Sequence, residues 1–210
     1  MNLRLDWCSH KASKYAVMNW HYSKKMPVGK IVKIGVWENY RFIGAILFSH
    51  LVGVRAAQSL NMTNFEVCEL VRVALDKHKT PTTRIMAVAV KMLKTQSPDL
   101  GCIVSFADPS EGHLGTIYQA GNWLYLGQRP KTLMYRVGGE MIHSRTANPN
   151  NKHFGRRSGG IDLSQAEKIW VLGKYKYLYP LNKEIRKQIE PLAKPYPKKN
   201  CDVGVKRSTT

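Results

Sequence analysis

Asp108 is the residue of this sequence best placed to do chemistry. It follows the nearly all-apolar run Gly101 to Ala107 and precedes Pro109. A carboxylate at the carboxyl end of a covered strand is a frequent active-site position in α/β folds, and Asp before Pro is also a turn-former. Glu69 and Arg72 interrupt a second apolar run, Phe65 to Leu75. Charge there is costly unless it is paired or faces a cleft. Arg72 suits a phosphate or a carboxylate, and Glu69 a base or a structural partner. His113, between Gly112 and Gly115, has room to approach a ligand. Tyr118, with Gln119 and Asn122 close by, could line a polar pocket and stack on an extracted base. Ser105 shares a strand face with Ala107, and His21 and Tyr22 adjoin Trp20; these three, and Tyr118 too, could equally be packing residues. No nucleophilic triad is specified, and the zinc motif of nucleobase deaminases is absent.

The elements that must hold these residues read as α/β. Asp6 or Ser9 caps a short helix through Ala12 to Trp20, interrupted near His21-Tyr22-Ser23. Ile31 to Trp37 and Phe42 to Phe48 form a hairpin turning at Glu38-Asn39. Phe65 to Leu75 reads as a strand. Thr80-Pro81-Thr82-Thr83 opens a helix with Ile85, Val88, Ala89, Met92 and Leu93 on one face, and Pro98 ends it. Gly101 to Ala107 is a strand covered on both faces. A helix at Thr116 to Ala120 and a strand at Trp123 to Leu126 follow. This alternation implies a mixed, partly parallel central sheet flanked by helices. Tyr135 to Ile142 reads as a further strand, and His143 to Gly160 as a loop or flap. Glu167 to Leu172 and Tyr175 to Leu178 are short apolar stretches. Residues 1–180 form one domain on this reading. Residues 181–210 form a basic, Pro- and Lys-rich extension whose end, from PLAKPYPKKN onward, is extended and partly disordered.

The charge narrows the partner. The chain carries 33 Lys and Arg against 14 Asp and Glu, a formal +19, which calls for a polyanion: nucleic acid or an anionic membrane. Its 43% hydrophobic content and five Trp exclude a disordered basic tail. No run approaches the roughly 18 apolar residues of a membrane span, and Met1 to Lys14 is not a secretory signal. Cys8, Cys68, Cys102 and Cys201 are scattered, as reduced cytosolic thiols would be. Between residues 122 and 160 there are seven Lys or Arg and one acid. Arg129, Lys131, Arg145, Lys152, Arg156 and Arg157, with Phe154 among them, suit phosphate contacts beside stacking, and Lys174 and Lys176 extend this footprint.

Ser105-Phe106-Ala107-Asp108-Pro109, Gly112-His113-Leu114-Gly115, Ile117-Tyr118-Gln119-Ala120 and Asn122-Trp123 together closely resemble the bacteriophage Mom family. His21-Tyr22-Ser23 and the closing KYKYLYPL and KPYPKK do so too, so the likeness spans residues 18 to 198. It implies a fold like that of GCN5-related acetyltransferases. It also implies transfer of a carbamoylmethyl group to the N6 amine of adenine in phage DNA, which protects that DNA from restriction in the cytoplasm of the infected host. By position it gives His21, Tyr22, Asp108 and Tyr118 catalytic roles and raises the expectation of Fe(II). Such an ion takes nitrogen and oxygen ligands with open positions. His21 and Asp108 would supply two of these, with Tyr22 or His113 as a third.

Ordinary acetyltransferases hold a diphosphate on a Gly-rich loop. Asp76 to Arg84 has no glycine, which argues against acetyl-CoA and leaves the donor open. A helix start with Lys77, Lys79, Thr82, Thr83 and Arg84 could still hold a phosphate. The partner expected is double-stranded DNA with a flipped or exposed adenine, with no membrane and with a homodimer left open. Two other readings remain: an acyl-CoA-dependent N-acyltransferase acting on a protein or small amine, and a non-catalytic nucleic-acid-binding module.

Overall fold

The computed structural model describes residues 2–50, 57–143, 163 and 166–198. Chain order begins with β1 (Leu3–Trp7), α1 (His10–Trp20), β2 (Ile31–Glu38), β3 (Arg41–His50), β4 (Val67–Leu75), α2 (Thr82–Gln96) and β5 (Cys102–Ala107). A 3-10 turn (Pro109–Glu111), α3 (Thr116–Ala120), β6 (Leu124–Gln128), β7 (Thr132–Val137) and β8 (Glu140–His143) come next. The chain closes with β9 (Glu167–Val171), β10 (Tyr175–Pro180), α4 (Lys183–Ile189) and a second 3-10 turn (Glu190–Leu192).

Seven strands form one sheet in the order β1-β2-β3-β4-β5-β10-β6, and β8-β7-β9 form a smaller one. In the large sheet β4 and β5 are parallel and the other pairs antiparallel, so the expected mixed sheet flanked by helices is what the chain builds. Ile34, Ile46, Leu70, Ile85, Ala89, Leu93 and Ile103 pack into one core between the sheet and α2. On the other side α1 lays Ala16 and Val17 on Ala45, Leu47 and Ala74.

Several expected boundaries shift for local reasons. Ser9, not Asp6, caps α1, its hydroxyl accepting from the Ala12 amide at 3.1 Å, while Asp6 lies in β1. The β2–β3 turn is Asn39-Tyr40, both at positive φ, as a two-residue hairpin of this twist requires. The strand expected from Phe65 starts at Val67 because Glu66 folds back to accept from the Thr63 amide and hydroxyl, both at 2.8 Å. Phe65 is left 83% exposed. The single strand expected over Tyr135 to Ile142 is a hairpin, broken by Gly138 and Gly139 at φ 57° and 82°.

The largest difference concerns β10. Strands β5 and β6, separated in sequence by α3, are not neighbours; β10 enters between them, antiparallel to both. After the second 3-10 turn, residues 193–198 form no helix or strand. They run along β6, where the Lys194 amide donates to the Tyr125 carbonyl at 2.7 Å and the Tyr196 hydroxyl to the Trp123 carbonyl at 2.7 Å. Cys68 and Cys102 are buried free thiols. Among the described residues, no helix is long and apolar enough to cross a membrane.

Candidate active site

A crevice opens where β4 and β5 part. Their parallel pairing ends at Leu70 and Ser105, although β4 runs on to Leu75 and β5 to Ala107. Openings at the carboxyl ends of parallel strands are where α/β folds bind ligands. Ser105 sits at the fork. A carbonyl can only accept, so the Ser105 hydroxyl donates to Leu70 O at 2.8 Å, and the Tyr118 phenol then donates to Ser105 Oγ at 2.8 Å. Tyr118 is 8% exposed, with its ring 5.1 Å from those of Trp123 and Tyr177. Burial pushes its phenol up to about 12. Ser105 and Tyr118 therefore brace the crevice from inside, and stacking on an extracted base is closed to Tyr118 in this packing.

Asp108 caps the 3-10 turn, accepting from the Ser110 amide at 3.1 Å. The β5–β10 register sets Tyr175 against Ala107, which brings Lys174 beside Asp108. Lys174 Nζ lies 3.1 Å from Asp108 Oδ2, with the carboxylate side chain 17% exposed. Lys174, expected on a DNA-gripping face, is thus a member of the site. Nothing in its local sequence marks this, because only the long-range insertion of β10 creates the pair.

α1 delivers His21 at its C-cap. The loop after it is clamped by Arg72, whose guanidinium donates to the Lys25 carbonyl at 3.0 and 3.2 Å and to the Val71 carbonyl at 2.7 Å. Arg72 acts here on the chain itself, while burial lowers its pKa. His21 Nδ1 lies 3.1 Å from the Ser23 amide nitrogen and 2.8 Å from Ser23 Oγ. An amide N–H only donates, so Nδ1 accepts and the neutral ring carries its proton on Nε2. Burial, then Arg72, His113 and Lys174, hold His21 down to about 4.

That shift has a sign. The unfolded ring titrates near ~6.5 and takes its proton first. The contribution of neutral His21 to stability is therefore complete above that value and is lost as pH falls toward about 4. An NMR titration of the His21 ring should accordingly show no protonation between pH 8 and 6. Ring nitrogen shifts should report Nδ1 as the unprotonated atom; a midpoint near 6.5 contradicts the burial.

Tyr22 is 43% exposed and lies between two imidazoles, its ring centroid 4.4 Å from His21 and 4.9 Å from His113. Its pKa is raised, by burial first and then by the opposing charges of Lys174, which lowers it, and Asp108, which raises it. Glu69 is raised by burial against the pull of Lys174, Arg72 and Arg129. Ring contacts join Tyr22 to His21 and His113, the His113 amide donates to the Asp108 carbonyl at 3.0 Å, and Lys174 pairs with Asp108. The charges of Arg72 and Lys174 act on His21, Tyr22 and Glu69.

The residues expected to hold Fe(II), His21, Tyr22, Asp108 and His113, do not fit that ion as arranged. A metal-binding imidazole donates from one nitrogen and offers the other's lone pair, whereas His21 Nδ1 accepts and Nε2 keeps the proton. Asp108 is engaged by Lys174 and by the Ser110 amide. Among the described residues, no three His, Cys, Asp or Glu gather closely enough to share an ion.

The expected donor-binding set, Lys77, Lys79, Thr82, Thr83 and Arg84, lies at the start of α2 and is not among the charges acting on His21 or Tyr22. Of the expected DNA contacts, Arg129 and Lys131 are exposed, and Arg129 lies over the Phe106 ring at 5.6 Å. Lys176 is half-buried on β10, its pKa lowered by that burial. Arg145, Lys152, Phe154, Arg156 and Arg157 fall outside the described residues, as does the flap expected over 143–160 apart from His143, which ends β8 instead.

Known proteins bear on this site. The chain is 27% identical over 206 residues to the methylcarbamoylase mom of Escherichia phage Mu, covering 93% of this chain and 84% of that one. Among solved structures it resembles an aminoglycoside acetyltransferase in complex with coenzyme A and kanamycin. There the TM-score is 0.48 and the identity 9%, over 90% of this chain and 99% of that one. It also resembles an N-acetyltransferase from Staphylococcus aureus Mu50, with a TM-score of 0.47 and 10% identity over 86% and 99%. Residues 2–198 match the Mom protein family, to which this chain belongs.

Proposed function

We propose that the protein is a DNA-modifying transferase that places a carbamoylmethyl group on the N6 amine of adenine, shielding phage DNA from restriction. The observation that carries this reading is the coupled His21–Tyr22–Asp108–Lys174 site in a basic chain whose relative is a methylcarbamoylase. Adenine N6 is buried in a base pair, so the base must be flipped or already open. Tyr22, exposed between His21 and His113, offers the ring on which such a base can stack, the part earlier expected of Tyr118. Neutral His21 offers Nε2–H as a donor that holds a ring nitrogen or the transferred amide in place. The N6 amine is a weak nucleophile: as its new bond to the carbamoylmethyl carbon forms, the bond from that carbon to its donor breaks with the electron pair leaving on the donor, and the amine must lose a proton. Glu69, made more basic by burial and set beside Lys174 and Arg72, suits that task. Asp108, held by Lys174, fixes the turn that carries His113. Arg129 and Lys131 grip the backbone outside the crevice.

Affinity for duplex DNA should fall steeply with salt, with a log–log slope of about −0.9 for each phosphate contact. Arg129→Ala and Lys131→Ala should each make that slope shallower by about one, and His21→Ala should leave it unchanged. Salt-independent binding, or a loss of affinity in His21→Ala matching that in Arg129→Ala, counts against this division of labour.

A further inference from the structure

The loop between β4 and α2 is closed by a carboxylate from elsewhere in the fold. Glu38, the last residue of β2, is 7% exposed and accepts from the Lys79 amide at 3.0 Å. It also accepts from the Thr80 amide at 2.7 Å and the Thr80 hydroxyl at 2.6 Å. The rest of the loop is engaged as well. His78 Nδ1 faces the Asp76 carbonyl at 2.7 Å and must donate to it, and His78 Nε2 lies 3.1 Å from the Thr82 hydroxyl. Arg41 pairs with Asp76 at 2.9 Å and donates to the Lys77 carbonyl.

Amides and hydroxyls converging ahead of a helix, among lysines, are what a phosphate seeks. Here the Lys79 and Thr80 amides and the Thr80 hydroxyl already meet an anion. We infer that Glu38 is a built-in anion that fills this cradle, so that the donor of the transferase proposed above is not held through a diphosphate in this loop. A nucleoside-diphosphate or coenzyme A-type donor would have to displace Glu38 and leave its carboxylate half-enclosed without partners. The four hydrogen bonds, that of the Thr80 hydroxyl foremost, hold the Glu38 carboxyl down to about 2. Their stabilisation is thus present above the unfolded value near ~4.5 and is lost as pH falls from there toward about 2. Across the neutral range the cradle stays shut, whatever the acceptor.

Total binding of an anion says little in a chain of charge +19, so the readout must be local. Amide NMR of the full chain, titrated with inorganic pyrophosphate and separately with coenzyme A to millimolar levels, provides it. In the wild type the Lys79 and Thr80 amides should stay in place. In Glu38→Ala both should move saturably with pyrophosphate. Glu38→Gln, which keeps an acceptor and removes the charge, carries the same readout if the alanine variant does not fold. Saturable shifts of these two amides in the wild type overturn the inference. So does their failure to move in a folded Glu38 variant. Neither result depends on whether DNA is the acceptor, because no turnover is measured.

Discussion

Lys174→Ala is expected to slow DNA modification about 10²-fold while leaving affinity for duplex DNA near the wild-type value, the scale of loss seen when a reacting group is misplaced by about an ångström. The reason is the ion pair with Asp108 at 3.1 Å and the reach of the same charge to His21, Tyr22 and Glu69. Without the ammonium, Asp108 keeps its bond to the Ser110 amide but loses the contact that orients its second oxygen. Lys174→Arg, which can still reach the carboxylate, should recover part of the rate. A phosphate contact would behave otherwise: affinity would drop, the salt slope would lessen by about one, and the maximal rate on saturating DNA would hold. The rate at saturating DNA, measured beside affinity, separates the two.

The second large effect is on the fold that carries the site. Tyr177 is fully buried on β10, its ring 5.1 Å from Tyr118 and 5.2 Å from Tyr125. Its hydroxyl donates to the Leu114 carbonyl and accepts from Gln119 Nε2 at 3.1 Å. It therefore fixes the His113 loop from beneath. Tyr177→Ala should cost about 3–5 kcal/mol, as removal of a buried aromatic ring does, and lower Tm by about 6–20 °C in a chain of this size. Tyr177→Phe keeps the ring and removes the hydroxyl, leaving the Leu114 carbonyl its bond from Gln119 Nε2 at 3.0 Å, for about 0.5–1.5 kcal/mol. Gly115→Ala probes the same contact from the other side. Gly115 sits at φ 77°, and a Cβ there would lie 2.4 Å from the Tyr177 ring. Thermal unfolding of the three variants checks the order, with Tyr177→Phe expected to be the mildest.

How far the sequence reached depended on how local the cause was. The α1 cap at Ser9, the hairpin, the periodicity of α2 and the all-apolar β5 are set by neighbours in the chain, and all were legible. Asp108 was legible as the residue ending β5, and His21 and Tyr22 through resemblance. The place of Tyr118 was not: its polar neighbours suggested an open pocket, whereas Ser105, Trp123 and Tyr177 enclose it. Tyr175 to Leu178 read only as a short apolar stretch because strand order is decided by pairing across the sheet, and it forms β10 inside that sheet. The pairing that placed Lys174 on Asp108 was invisible for the same reason. Glu38 read only as part of the hairpin turn, since its partners Lys79 and Thr80 are some forty residues away.

The central claim is that adenine is modified in the crevice at Asp108, and mass spectrometry of nucleosides tests it most directly. DNA from cells expressing the wild-type chain should be compared with DNA from cells expressing Asp108→Asn at matched protein level. Deoxyadenosine carrying a carbamoylmethyl group is expected from the wild type and at a level lower by about 10²-fold from Asp108→Asn, whose protein still binds duplex DNA. Unmodified adenine in both, or equal modification in both, contradicts it.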